Sequence, residues 1–152
     1  MTTLTPTEKK LGMAMLENPK FLFDLYSETG TSKIRKREIV LGERAEDPVL
    51  ALAEPLAMSS VILKRLGPGL EGGPHPEKQM QFVILLSGEM EVEVAAGKVH
   101  FSSGSILLAR DTDSRDGHFT RFPSHALIFT AQVSVDADID AWLETYTRVV
   151  SE

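Results

Sequence analysis

The chain has 152 residues, of which 42% are hydrophobic and 25% charged, with a net charge of −6 at neutral pH and no cysteine. That length predicts a single domain, residues 1–152, with enough apolar material for one core. The composition excludes disulfides and thiolate metal sites, a membrane span of the usual ~20 apolar residues, and charge-driven nucleic-acid binding; it suits a reducing cytoplasm.

Residues Thr7 to Leu16 read as a short helix, with Thr7 as N-cap, Leu11, Met15 and Leu16 on one side, and Pro19 as the stop. The polar start, Met1 to Lys10, lacks the apolar core of a signal segment. The run Phe21-Leu22-Phe23-Asp24-Leu25-Tyr26 is too short to separate helix from strand, and reads as a segment packed across the outside of a sheet. Gly30 to Arg37, with Lys33, Arg35, Lys36 and Arg37, reads as a solvated loop or edge strand. Glu43 to Pro55 reads as a loop with one helical turn. Residues 1–57 are therefore expected to be a helical or irregular segment outside the main core.

From Met58 the pattern changes. Val61, Leu63 and Arg65 alternate with Ile62, Lys64 and Leu66, as in a strand. Gly67-Pro68-Gly69 breaks it. Phe82 to Leu86 reads as a strand buried on both faces, and Ser87-Gly88 as a turn. Met90, Val92 and Val94 should face inward, with Glu89, Glu91 and Glu93 in water. Ala95 to Lys98 links this strand to Val99–Phe101 in a hairpin. Further strands follow at Ser105–Ala109, His118–Phe122 and Ala126–Val133. Short strands at even spacing predict an all-β antiparallel sandwich or barrel with its core at about residues 58–133. A helix at about 138–150 should close the chain, capped by Asp136 or Asp138, with Ile139, Trp142, Leu143, Tyr146 and Val150 as its apolar stripe.

Four histidines are available, His75, His100, His118 and His125. His75 and His118 each stand where a turn meets a strand, a place from which a rigid sheet presents functional side chains. His100 reads as an exposed strand residue and His125 as a turn residue. Arg110, Asp111 and Asp113 read as loop-shaping. Arg121 and Lys64 read as solvated strand residues. His75, Glu77 and Gln81 share parity, yet on one straight strand His75 and Gln81 would lie about 20 Å apart. A shared site therefore requires a turn near residues 76–79.

This stretch resembles the cupin superfamily. The first cupin motif is a glycine, five residues, His-x-His, three or four residues, a glutamate, six residues and a glycine. Gly69, His75 and Gly88 match it, with Glu77 in the place of the second histidine and Gln81 in the place of the glutamate. In the second motif, Gly97 leads to Ser102-Ser103-Gly104, so serine replaces the usual proline, and Leu107 occupies the usual histidine position. His118 arrives later, after the loop Asp111 to Gly117. The pattern is similar to small single-domain cupins of unassigned activity and covers residues 58–133.

The resemblance implies an antiparallel jelly-roll barrel with N-terminal packing segments and a C-terminal helix. It implies a divalent metal ion (Fe, Mn, Ni or Zn) held by His75, Glu77, Gln81 and His118, and a small polar metabolite as substrate or ligand. Three functions follow from it as expectations. One is a metal-dependent enzyme of dioxygenase, isomerase or lyase type. Another is a metal-free isomerase or epimerase using His75 or His118 as catalytic acid or base. The third is a ligand-binding or sensory module without turnover. The apolar N-terminal run and terminal helix also predict a homodimer.

Overall fold

The structure, a computed structural model of the chain, describes residues 20–41 and 52–151 together with Thr3 and Thr5. The predicted helix at Thr7 to Leu16 lies outside the described residues, as does most of the segment beginning at Glu43. Among the described residues eleven strands and one helix follow in order: β1 (Phe21–Glu28), β2 (Thr31–Ile39), β3 (Met58–Leu66), β4 (Glu71–His75), β5 (Gln81–Ser87), β6 (Met90–Val94), β7 (Gly97–Phe101), β8 (Ile106–Ala109), β9 (His118–Arg121), β10 (Ala126–Val133), α1 (Ile139–Tyr146) and β11 (Thr147–Ser151).

They form two facing sheets of an all-β jelly roll. The larger has seven strands in the order β11-β2-β1-β8-β5-β10-β3, and the smaller has four in the order β4-β9-β6-β7. All pairings are antiparallel except that of β1 with β8. The inner core joins both sheets. Leu25, Val83, Leu85 and Leu107 come from the large one, and Met90, Val92, Val94 and Phe101 from the small one. Met90, Val92 and Val94 are all buried, as their alternation requires. Each such fully buried side chain contributes about 1.5–3 kcal/mol. A second cluster lies on the outer face of the large sheet, where Leu22, Leu108 and Val133 meet Ile139 and Leu143 of α1. Phe82 also points outward, edge-on to Trp142 at 6.1 Å.

Three expectations are corrected. The run Phe21 to Tyr26 is not an outside packing segment: β1 lies inside the large sheet between β2 and β8. Successive side chains of a strand point to opposite faces, so Phe23 and Leu25 pack on the inner core while Leu22 packs under α1. The basic stretch is not a solvated loop or edge: β2 is flanked by β1 and β11, and Arg35 and Arg37 both donate to the fully buried Asp24, at 3.0 and 2.7 Å. The terminal helix ends at Tyr146 rather than near 150. Asp138 caps it by accepting from the Ala141 amide at 3.0 Å. The β-branched run Thr147, Val149 and Val150 then favours strand, and β11 pairs with β2. Among the described residues no helix is long and apolar enough to cross a membrane.

Candidate metal centre

The chain bends where a shared site needs it to. β4 ends at His75 and β5 begins at Gln81, so the two residues come from different strands in different sheets. His75 pairs in register with His118 at the first residue of β9. Their rings lie 5.1 Å apart, centroid to centroid. This approach depends on glycine. Gly117 has φ +70°, and a Cβ there would come within 2.6 Å of the His75 carbonyl carbon; at Gly73, φ +114°, a Cβ would lie 2.3 Å from the His118 carbonyl oxygen. Larger residues would force β4 and β9 apart.

Glu77 lies in the bend between His75 and Gln81. His75, Glu77 and His118 each present one ligand atom, and the three atoms lie within 4.8 Å of one another. His118 Nε2 is 3.6 Å from Glu77 Oε1. The three differ in access: His75 is exposed, Glu77 half-buried, and His118 buried at 2%. The group therefore closes on the protein side and opens toward His75. Gln81 joins it through Glu77, its amide nitrogen donating to Glu77 Oε2 at 3.1 Å. That contact leaves Oε1 facing His118.

Behind His118 stands Asp111, a residue whose place in the sequence suggests only loop-shaping. Asp111 is fully buried, with Oδ2 2.7 Å from His118 Nδ1. Ser32 of β2 donates its hydroxyl to the same oxygen at 2.6 Å, and the Glu77 amide donates to Oδ1 at 3.2 Å. Burial pushes the Asp111 carboxyl up, but hydrogen bonds from His118 and Ser32, the charge of His118 and the Glu77 amide outweigh it and hold it below the usual range. An ionised carboxylate only accepts, so His118 Nδ1 carries the proton and Nε2 is turned toward Glu77. Glu77 shifts the other way. Its burial raises it, and Asp111 adds to the rise, against the lowering pull of His118, His75 and Gln81.

The loop that carries Asp111 is fastened to the β1–β2 turn. The amides of Arg115 and Asp116 donate to the Gly30 carbonyl at 2.7 and 3.2 Å, and Ser114 Oγ lies 2.6 Å from Ser32 Oγ. The other candidates lie apart from this group. Leu107, at the usual cupin histidine position, is buried in the inner core. His100 is exposed beside Glu89 and Glu91, and His125 is exposed between β9 and β10. Arg121 is paired with Glu93 and Glu71.

The donors fit a divalent ion. Two imidazoles and one carboxylate suit Fe, Mn, Ni or Zn, and bonds of about 2.1 Å would need the ligand atoms to close to about 4.2 Å or less. The His118–Glu77 distance already meets that bound, and the exposed His75 side chain can supply the remaining movement.

No family model and no curated protein sequence matches the chain. Solved structures do, and several are named as cupins. A cupin 2 conserved barrel domain protein from Salinispora arenicola is 14% identical over 57% of this chain and 71% of its own, with a TM-score of 0.42. A sugar phosphate isomerase from a cupin superfamily, from Silicibacter pomeroyi, is 19% identical over 79% of this chain and 74% of its own, at 0.42. A conserved protein of unknown function from Streptococcus pyogenes is 18% identical over 51% of this chain, at 0.42, and the match spans 65% of that protein's length.

Proposed function

We propose that the protein binds one divalent metal ion through His75, Glu77 and His118, and uses the site to bind and transform a small polar molecule entering on the His75 side. The observation that carries this is the convergence of those three ligand atoms, with His118 held by Asp111 so that Nε2 is free to bind. Gln81 is assigned to orienting Glu77 rather than to the ion itself. When bound, the ion supplies Lewis-acid polarisation and leaves coordination positions open.

The chain's own residues do the rest. Asp111 and Ser32 fix the His118 ring. Gln81 fixes the Glu77 carboxylate. Titrating the protein with Mn2+, Fe2+, Ni2+ and Zn2+, against His75→Ala and His118→Ala, tests the reading. Tight binding by the parent and loss in both variants supports it. Equal binding by all three removes it.

A second reading rests on the same contact. The Asp111–His118 pair is a complete acid/base dyad in itself, with Nε2 positioned to move a proton. It predicts a turnover that survives chelation but not His118→Ala. Chelation that abolishes turnover, with recovery on adding metal, decides for the first reading.

A further inference from the structure

β3 is the outermost strand of the large sheet, and β10 is its one strand neighbour among the described residues. Edge strands in stable monomers are usually short, charged at the centre, or interrupted by proline. β3 is nine residues long, has no proline, and has an apolar centre. Val61 is 54% exposed, Ile62 44% and Leu63 62%. Its two charges, Lys64 and Arg65, lie toward one end, and it contains no acid.

We propose that β3 pairs with β3 of a second copy of this chain, antiparallel, about a two-fold axis through Ile62. The strand is complementary to itself about that residue. Antiparallel pairing there sets Val61 against Leu63 of the partner copy and Ile62 against its own equivalent. Lys64 then faces Ser60, and Arg65 faces Ser59. No like charges oppose each other, and each cation meets a hydroxyl. A shift of the axis by two residues toward the C-terminus would centre the pairing on Lys64 and bring two ammonium groups together.

The faces agree as well. Side chains alternate along β10, and Ala126 and Ile128 point into the inner core, so Leu127 and Phe129 lie on the outer face. Register places Leu63 beside Phe129, and Phe129 beside Ile84 of β5. Leu127 and Leu86 are 37% and 46% exposed on that face. Pairing about Ile62 keeps Val61 and Leu63 on the same side as these residues in both copies, so the two apolar faces become one surface. The partner this edge fits is therefore another copy of the chain, as one sheet running through both. This inference is independent of the metal-site proposal.

The chain has no cysteine, which makes a direct test available. Ile62→Cys places a single thiol on the proposed axis, and mild oxidation should link two copies. Lys98→Cys, on exposed β7 of the other sheet, should not link. In light scattering the parent should run as a dimer of the 16.7 kDa chain at high micromolar concentration. Ile62→Lys and Ile62→Glu should each weaken that dimer ~10-fold or more by opposing like charges, and an equal mixture of the two should restore it. Ile62 is already half exposed, so circular dichroism of both variants should match the parent. A parent that stays monomeric overturns the proposal. So does a dimer indifferent to Ile62→Lys in which the thiol at 62 links no faster than that at 98.

Discussion

Asp111 Oδ2 lies 2.7 Å from His118 Nδ1, and this one contact decides which nitrogen of His118 faces Glu77. Replacing Asp111 by Asn removes the charge that fixes the tautomer while keeping the volume. Divalent-ion affinity should fall about 10–100-fold. Nitrogen-15 shifts of His118 should show mixed tautomers in place of one. An unchanged affinity with mixed tautomers would separate Asp111 from ion binding.

Gln81→Leu removes the donor on Glu77 Oε2 and leaves the three proposed ligands in place. Affinity should drop about tenfold, as for loss of an outer-shell hydrogen bond. A loss as complete as that of His118→Ala would instead make Gln81 a ligand. Calorimetric titration of the three proteins side by side reads the difference.

Gly117→Ala combines a positive φ with a Cβ contact of 2.6 Å to the His75 backbone. It should destabilise the protein by about 1–3 kcal/mol and weaken ion binding, because β4 must move from β9. Gly69→Ala is the reference substitution. Its φ is also positive, at +82°, but nothing lies within 4 Å, so only the backbone cost of about 1–2 kcal/mol applies. Denaturant melts with and without metal measure both effects.

Asp24 binds three arginines from a fully buried position, with Arg110 donating to both its oxygens at 2.7 and 2.9 Å. Burial favours its neutral form, but hydrogen bonds and charge from Arg110, and hydrogen bonds from Arg37 and Arg35, outweigh this and lower its pKa. A folded pKa below the unfolded one stabilises the protein at higher pH. That contribution should therefore be complete well above the ordinary aspartate value of 3.8 and be lost as pH falls below it. Asp24→Asn should cost about 3–5 kcal/mol near neutral pH, since it leaves buried guanidinium groups uncompensated. Melting curves from neutral pH downward should show the gap between parent and variant narrowing below that value.

β3 and β5 to β10 were legible because glycine or proline marks their turns and several of them alternate. Met90, Val92 and Val94 show this directly. β4, with two glycines and a proline in five residues, carries no strand pattern. β1 and β2 were not legible, because short apolar runs and basic runs have no period of their own. Leu22 and Leu25 face opposite sides of a sheet that forms only once β8 and β11 arrive. The bend at residues 76–79 is what a site shared by His75 and Gln81 requires, and the sequence brings His118 to that site only through the cupin resemblance. Asp111 was missed as the partner of His118. It precedes that residue by a seven-residue step through a loop, and only the fastening of that loop to Gly30 and Ser32 brings the two together. An aspartate two residues after a strand and shortly before a Gly-His was the available signal.

Elemental analysis of the untagged protein, purified without chelator, reads the proposed ion itself. A single divalent ion per chain should be retained by the parent and lost in His118→Ala. Metal far below one per chain, not restored by incubation with Fe, Mn, Ni or Zn, would contradict the metal proposal.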